Sequence, residues 1–273
     1  MKNKKLKIIL LVLFLFALFM AVGLNNRVVI THYKIFDKKV KTDFKVVFIA
    51  DTHSCKYGKG QRELLGKIEK EKPDLILLGG DIIDDELPME IGFDTIKDLS
   101  KEYPTFYVTG NHEIWSEKYE YIKEQIKSFG IEVLEGNSKE IDIKGNVVNV
   151  MGIDDPDIGS LYDEEFKNLE NINSDNLTFL IAHRPERFSE YAKLHIDYVF
   201  SGHAHGGQWR LPIILEKGVF SPNQGIFPKY TVGINKFDNF SMIISRGLSR
   251  ESTKVPRFYN PPELVVIEFK KNN

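Results

Sequence analysis

The chain has 273 residues, 42% of them hydrophobic and 28% charged, a balance that excludes extended disorder and fits one fairly large domain or two small ones. Lys+Arg 37 against Asp+Glu 39 leaves a formal net charge of −2, without the cationic excess that binding a phosphate backbone demands, so nucleic acid is not an expected partner. Cys55 is the single cysteine, which excludes an intramolecular disulfide and a thiolate zinc cluster; any metal here is held by nitrogen and oxygen.

At the N-terminus, Lys2, Lys4, Lys5 and Lys7 precede an uncharged apolar run from Ile8 to Leu24. As a helix this run is about 25 Å long, at the short end of what crosses a bilayer. Two readings are open. As a signal anchor, the lysine cluster stays cytoplasmic and everything after Asn25 lies outside. As a cleaved signal peptide, Ala21 and Gly23 supply a weak processing site. Both export the remainder of the chain. The expected organisation is a transmembrane anchor or signal segment over 1–24, a linker or leading strand over 25–43, and a catalytic domain over 44–273.

From Lys45 onward, apolar runs of strand length alternate with amphipathic stretches, the pattern of an α/β domain. The predicted strands are Val46 to Ala50, Leu75 to Leu78, Thr105 to Val108, Val147 to Met151, Leu177 to Ile181, Tyr198 to Phe200, Met242 to Ile244 and Leu264 to Phe269. Gln61 to Lys70 places Leu64, Leu65 and Ile68 on one helical face, and Tyr119 to Ile126 does the same with Tyr119, Ile122 and Ile126. The stretch from Gly206 to Phe237 is rich in Gly, Pro and aromatics and is expected to form loops over one end of the domain.

What terminates each strand carries the chemistry. The first runs into Asp51-Thr52-His53, the second into Gly79-Gly80-Asp81 and Asp84, and the third into Gly110-Asn111-His112-Glu113. Leu177 to Ile181 leads to His183, and Tyr198 to Phe200 leads to Gly202-His203-Ala204-His205. In open α/β sheets ligands gather at the carboxyl ends of strands, so these tips can converge on one crevice. Of the 7 histidines only His32 and His195 lie elsewhere. The two-residue spacing of Asp51 and His53, and of His203 and His205, predicts that each pair faces one way in extended backbone. Singly, each tip reads first as a turn or a buried, hydrogen-bonded histidine. Their occurrence in this order, each after a strand, points to metal ligation.

These residues resemble the calcineurin-like metallophosphoesterase superfamily, whose pattern runs D-x-H, G-D-x-x-D, G-N-H-E, a lone H and G-H-x-H. Gly206-Gly207-Gln208, Phe227-Pro228-Lys229-Tyr230, Ser245-Arg246-Gly247 and Asn260-Pro261-Pro262-Glu263 resemble its bacterial membrane-associated branch. Ala50 stands where many relatives carry Ser, a departure that touches no ligand. The resemblance implies a four-layer sandwich of two mixed β-sheets flanked by helices. It implies one divalent metal on Asp51, His53, Asp81 and His205 and a second on Asp81, Asn111, His183 and His203, with Asp81 bridging; Mn, Fe or Zn suits such donors. It further implies that His112 acts on the phosphoryl group and that Asp84 orients it. Glu113 is expected to support the site or a helix N-terminus. Arg184, Arg187, Arg210 and Arg246 are read as solvated or paired, Cys55 as a small buried residue, and Trp209 as a wall of the crevice or as core.

The implied activity is metal-dependent hydrolysis of a phosphodiester, phosphomonoester or pyrophosphate by an exported, membrane-tethered enzyme. The phosphate-ester substrate could be lipid-linked, with a UDP-diacylglucosamine-type pyrophosphatase as one alternative. A non-catalytic metal-binding scaffold is the alternative of another class, and retention of all the ligands together with His112 argues against it.

Overall fold

The structure, a computed structural model, describes residues 2–250 and 255–272. It opens with helix α1 (Lys2–Gly23), followed by β1 (Val29–Asp37), β2 (Phe44–Ile49), α2 (Arg62–Glu71), β3 (Leu75–Gly79), α3 (Met89–Ile96), α4 (Leu99–Glu102) and β4 (Thr105–Val108). Then come α5 (Asn111–Trp115), α6 (Tyr119–Ser128), β5 (Glu132–Val133), β6 (Asn137–Ile143), β7 (Asn146–Gly152), α7 (Ser160–Glu170), β8 (Leu177–Ile181), α8 (Phe188–Tyr191) and β9 (Tyr198–Ser201). A short hairpin of β10 (Phe220–Ser221) and β11 (Gly225–Ile226) precedes β12 (Gly233–Lys236), β13 (Ser241–Ile244) and β14 (Glu263–Lys271).

Two six-stranded mixed sheets form, in the orders β1-β14-β2-β3-β4-β5 and β12-β13-β9-β8-β7-β6. Strands β2 to β5 run parallel, as do β7, β8, β9 and β13, while β14 is antiparallel to β2, β6 to β7 and β12 to β13. The central strands are apolar on both faces because both are covered. Along β2, Val46 and Phe48 join the core between the sheets, whereas Val47 and Ile49 join a second core under the helices. Phe44, Phe179 and Phe269 stack between the sheets at centroid separations of 5.0 to 6.5 Å. Leu64 and Ile68 of α2 and Ile122 and Ile126 of α6 cover the first sheet. Tyr162 and Leu169 of α7 and Tyr191 of α8 cover the second against Met151, Leu180 and Val199. Helix, sheet, sheet and helix are the four layers.

All eight predicted strands and both predicted helices form, with shifted ends. Within 25–43, expected as linker or leading strand, nine residues fold as β1, which pairs in parallel with β14 from Val29 opposite Glu263 to Asp37 opposite Lys271. The stretch from Gly206 to Phe237 is mostly irregular, as expected, and also holds the β10–β11 hairpin and the edge strand β12. Strand β6, Asn-Ser-Lys-Glu-Ile-Asp-Ile, carries no apolar signal along most of its length because it lies at a sheet edge with one side toward solvent.

Candidate metal centre

The parallel strands β2, β3, β4, β8 and β9 deliver their carboxyl-terminal tips to one end of the sandwich. Backbone bonds tie the tips together: Asp51 N–H donates to Gly80 O at 3.1 Å, His53 N–H to Asp81 O at 2.9 Å, and Gly202 N–H to His183 O at 3.0 Å. Glycine is required where they cross. Gly80 has φ 83°, and a Cβ there would lie 2.6 Å from Gly110 N. At Gly202 a Cβ would lie 2.6 Å from Asp51 Oδ2.

The paired residues are not in extended backbone, contrary to the reading of their spacing. Asp51, His53, Asp81, His203 and His205 all have φ between 46° and 63°, in the left-handed region. The motifs of Asp51, Asp81 and His203 begin where their strands have already ended, in tight turns, whereas Asn111 opens α5. Asp and His tolerate this region better than most residues, yet each such position costs on the order of 1 kcal/mol, a strain that concentrates where a site must be held.

Asp51, His53, Asp81 and His205 form one group whose side-chain nitrogen and oxygen atoms lie within 4.8 Å of one another, and Asp81, His183 and His203 form another. Asp81 belongs to both. His183 Nε2 stands 3.1 Å and His53 Nε2 3.6 Å from Asp81 Oδ2, and His205 Nε2 is 3.6 Å from Asp51 Oδ1. The structure therefore brings together the histidines and aspartates that the resemblance grouped, and Asn111 lines the same cavity.

Backbone amides occupy one oxygen of each carboxylate. His203 N–H donates to Asp51 Oδ1 and His112 N–H to Asp81 Oδ1, both at 2.8 Å. Three imidazoles are held from behind: His53 Nδ1 donates to Asp84 Oδ2 at 3.0 Å, His183 Nδ1 donates to Gly79 O at 2.7 Å, and His205 Nδ1 shares a hydrogen bond with Ser249 Oγ at 3.0 Å. The carboxylate and carbonyl partners keep a proton on Nδ1 of His53 and His183 and turn Nε2 of each ring toward the cluster. Asp51 Oδ2, Asp81 Oδ2, Asn111 Oδ1, His53 Nε2 and His183 Nε2 are left buried with no hydrogen-bond partner. Buried polar atoms are ordinarily satisfied, and five orphans on one cluster form a cradle for cations. The donor set, carboxylate, imidazole and amide without thiolate, fits divalent transition metals.

The charges point the same way. Burial pushes the Asp51 carboxyl upward, whereas at Asp81 the effect of burial is outweighed by His183, which holds that carboxyl well below its ordinary range. Against burial, the Asp81 and Asp51 carboxylates raise His183 to about 10; burial, with the charges of His183 and Arg184, depresses His203 to about 3. A buried proton on His183 stands where a bound cation would balance the same carboxylates.

Of the two support residues, Glu113 sits as expected and Asp84 serves a second histidine. Asp84 hydrogen-bonds His53, and its Oδ2 is 3.5 Å from His112 Nδ1; the carboxylate closest to His112 is Asp85, whose Oδ1 lies 2.5 Å from Nδ1. Asp84 is fixed by Asx-type bonds from the Glu86 and Leu87 amides at 3.0 and 2.9 Å, which leaves Oδ2 to serve His53. Sequence reasoning missed Asp85 because nothing but its neighbour distinguishes it. Glu113 is completely buried and receives the amides of Asp81, Ile82, Ile83 and Gly110 at 2.7 to 2.9 Å, bracing two tips at once. Burial and the Asp81 charge push its carboxyl up to about 7.

Asn223, from the loop after the last motif, was also missed: its Oδ1 lies 2.9 Å from His203 Nε2. So was Ser249, which accepts from the buried Arg257 Nη2 at 2.7 Å. Arg184 is locked to Asp155 at 2.7 and 2.8 Å, Arg246 pairs with Glu263 at 3.0 Å, and Arg187 pairs with Glu190 at 2.7 Å. Cys55 is buried. Trp209 is half-exposed and walls a cavity of about 800 Å³ whose floor includes His53, Asp81, Asn111 and His203. His112 and Trp115 stand on its side, their rings 4.9 Å apart.

Comparison with known proteins agrees with this geometry. Residues 44–207 match the family model described as calcineurin-like phosphoesterase. The chain is 29% identical over 245 residues to the phosphodiesterase YaeI of Escherichia coli, covering 88% of this chain and 87% of that one. It is 26% identical over 237 residues to an uncharacterised metallophosphoesterase of Aquifex aeolicus, covering 84% and 86%. Among solved structures, GAP50, the anchor in the inner membrane complex of Plasmodium, superposes with a TM-score of 0.50 at 13% identity, over 84% of this chain and 81% of that one, a likeness of fold.

Proposed function

The chain belongs to the calcineurin-like phosphoesterases, dimetal-dependent hydrolases of phosphoester bonds, and from that membership we propose that it is a phosphodiesterase tethered to the outer face of a membrane. The observation that supports this most directly is the set of five orphaned buried ligand atoms on the floor of an open cavity. In this reading Asp51, His53, Asp81 and His205 hold one cation, and Asp81, Asn111, His183 and His203 hold the other. When bound, the pair acidifies a water and neutralises the phosphoryl oxygens. Mn, Fe and Zn all match the donors.

The residues around the pair divide the remaining work. Asp84, Gly79 O and Ser249 fix imidazole orientation. Glu113 holds the turn that carries Asp81. His112, engaged through Nδ1 by Asp85, keeps Nε2 for the substrate, where it protonates the leaving oxygen or stabilises charge developing on it. Cleavage of a diester is favoured by the likeness to YaeI, which bears the name phosphodiesterase.

Tethering rests on α1, one helix among the described residues long and apolar enough to cross a bilayer, and on the lysines that flank its N-terminal end. Hydrolysis of an aryl phosphodiester compared with an aryl monophosphate, each with and without added Mn²⁺, tests the activity; a rate independent of metal and chelator refutes it. Protease added to intact protoplasts tests the side: the domain should be cut while a cytoplasmic marker survives.

A further inference from the structure

The end of α1 is fastened to the segment that borders the mouth of the site. Tyr259 N–H donates to Gly23 O at 2.6 Å and Tyr259 Oη to Phe19 O at 3.1 Å, while the Phe19 ring packs on Phe258 and Tyr259 at 5.4 and 5.1 Å. The same short segment is stitched to the loop after the last histidine motif. Arg210 N–H donates to Phe258 O at 2.9 Å and Trp209 Nε1 to Pro256 O at 2.8 Å. Trp209, with Phe220 and Val255, walls the cavity above the candidate metal ligands.

Strand polarity fixes the direction of approach. Because β14 runs antiparallel to β2, with Val265 opposite Phe48, its first residue lies level with the turn that holds Asp51. Val29, five residues past Leu24, pairs with that first residue, Glu263. The span therefore joins the sandwich at the metal end. The long extended tether that 25–43 allows, on the order of 60 Å, is not formed.

The loops that run on from Trp209 expose large apolar side chains. Ile213 is 91% exposed, Ile214 77%, Ile226 70% and Phe227 68%. A soluble surface rarely gathers such residues, and patches of this kind mark contact with protein or membrane. Lys217 and Lys229 are exposed on the same loops, with Glu216 beside Lys217, and the two lysines suit lipid phosphates. Continuity with the bilayer-spanning helix selects the membrane.

Resting on the tethered reading above, we propose that the 211–229 loops seat in the outer leaflet beside α1, and that the substrate is an amphiphilic phosphate ester drawn from that leaflet. Its phosphate reaches the metal centre while its tail stays along Trp209, Phe220 and Val255. The reaction remains hydrolysis. Water oxygen bonds to phosphorus, the bond from phosphorus to the leaving alcohol breaks, and the alcohol oxygen takes the proton.

The test uses the full chain, Mn²⁺-loaded, in phospholipid nanodiscs, with two substrates sharing a leaving group: methyl and dodecyl 4-nitrophenyl phosphate. The kcat/KM for the dodecyl ester should exceed that for the methyl ester by about tenfold or more, since each buried methylene adds to transfer into an apolar site. Combined Ile213→Ser, Ile214→Ser, Ile226→Ser and Phe227→Ser should remove most of that preference and leave the methyl ester unaffected. Independently, a nitrobenzoxadiazole label on Ile214→Cys should shift to the blue and be quenched by doxyl lipids. The same label on Lys144→Cys, in the turn at the opposite ends of the strands, should stay wet. Equal kcat/KM for the two esters overturns the substrate class. A wet label at 214 in chains that resist carbonate extraction overturns the seating and leaves the tether standing, whereas chains released by carbonate overturn both.

Discussion

The Asp84 carboxylate accepts the Nδ1 proton of His53 at 3.0 Å, and this bond, buried on both sides, aims the Nε2 lone pair at Asp81. Asp84 is thus coupled to a ligand more closely than to the histidine that faces substrate. Asp84→Asn should lower metal affinity about 10- to 100-fold, the usual effect of removing a partner behind a ligating imidazole. Metal content after dialysis at limiting Mn²⁺ measures it.

Asp85→Asn should behave oppositely. Asp85 touches His112 and none of the proposed ligands, so metal content should stay normal while kcat falls by about tenfold or more. Parallel metal analysis and kinetics on the two adjacent variants separate the roles; metal loss in Asp85→Asn would contradict them.

His112→Gln removes the group itself. Metal content should again be preserved, with kcat reduced by about 10² to 10⁴, the range for general acid or electrostatic stabilisation of a leaving oxygen. A substrate whose leaving group needs no proton, such as a dinitrophenyl ester, should be less affected than an alkyl ester.

Asp81→Asn touches both halves of the cluster. The amide keeps an acceptor for His112 N–H but takes away the charge shared by His53 and His183. Elemental analysis should show both metals depleted, and activity should fall by orders of magnitude. Full turnover in this variant is incompatible with a shared bridging carboxylate.

Away from the site, Glu165 sets a pH dependence of stability. Burial and the Asp154 charge push its carboxyl up to about 8, although it accepts the Asp154 amide at 2.9 Å. The folded state thus binds the proton more tightly than the unfolded state, whose carboxyl titrates near 4.5. That contribution is complete below the unfolded value and is lost as the pH rises through about 8. Tm should fall from pH 6 to 9 more steeply in the native chain than in Glu165→Gln; coincident slopes would show that Glu165 is already ionised.

What could be read without the structure follows from locality. An apolar run ending in Asp-Thr-His or Gly-Asn-His is complete within a few residues, so the strands and their tips were legible, whereas the grouping of Asp51, His53, Asp81 and His205 came from the family resemblance. The left-handed turns at those tips were not, because they arise from the tips crossing one another at Gly80 and Gly202. Asp84 and Asp85 are equivalent as letters, and only the Asx turn onto Glu86 and Leu87 tells them apart. Asn223 and Ser249 reach the histidines from loops whose composition speaks of turns. Likewise β1 and β6 are half-solvated edges, whose pairing is decided by strands far along the chain.

The order β1-β14-β2 places the strand of residues 263–271 between the two that begin the sandwich. A nascent chain can assemble β2, β3 and β4, but β1 finds its partner along its whole length only when residues 263–271 emerge. Closure of the first sheet therefore waits for residues 263–271, and loss of this strand should cost the pairing of β1 and β2 together rather than fray an edge. In the exported reading proposed above, this arrangement is a timing device: the keystone strand follows the two strands it joins, so the first sheet cannot close while residues 263–271 remain on the wrong side.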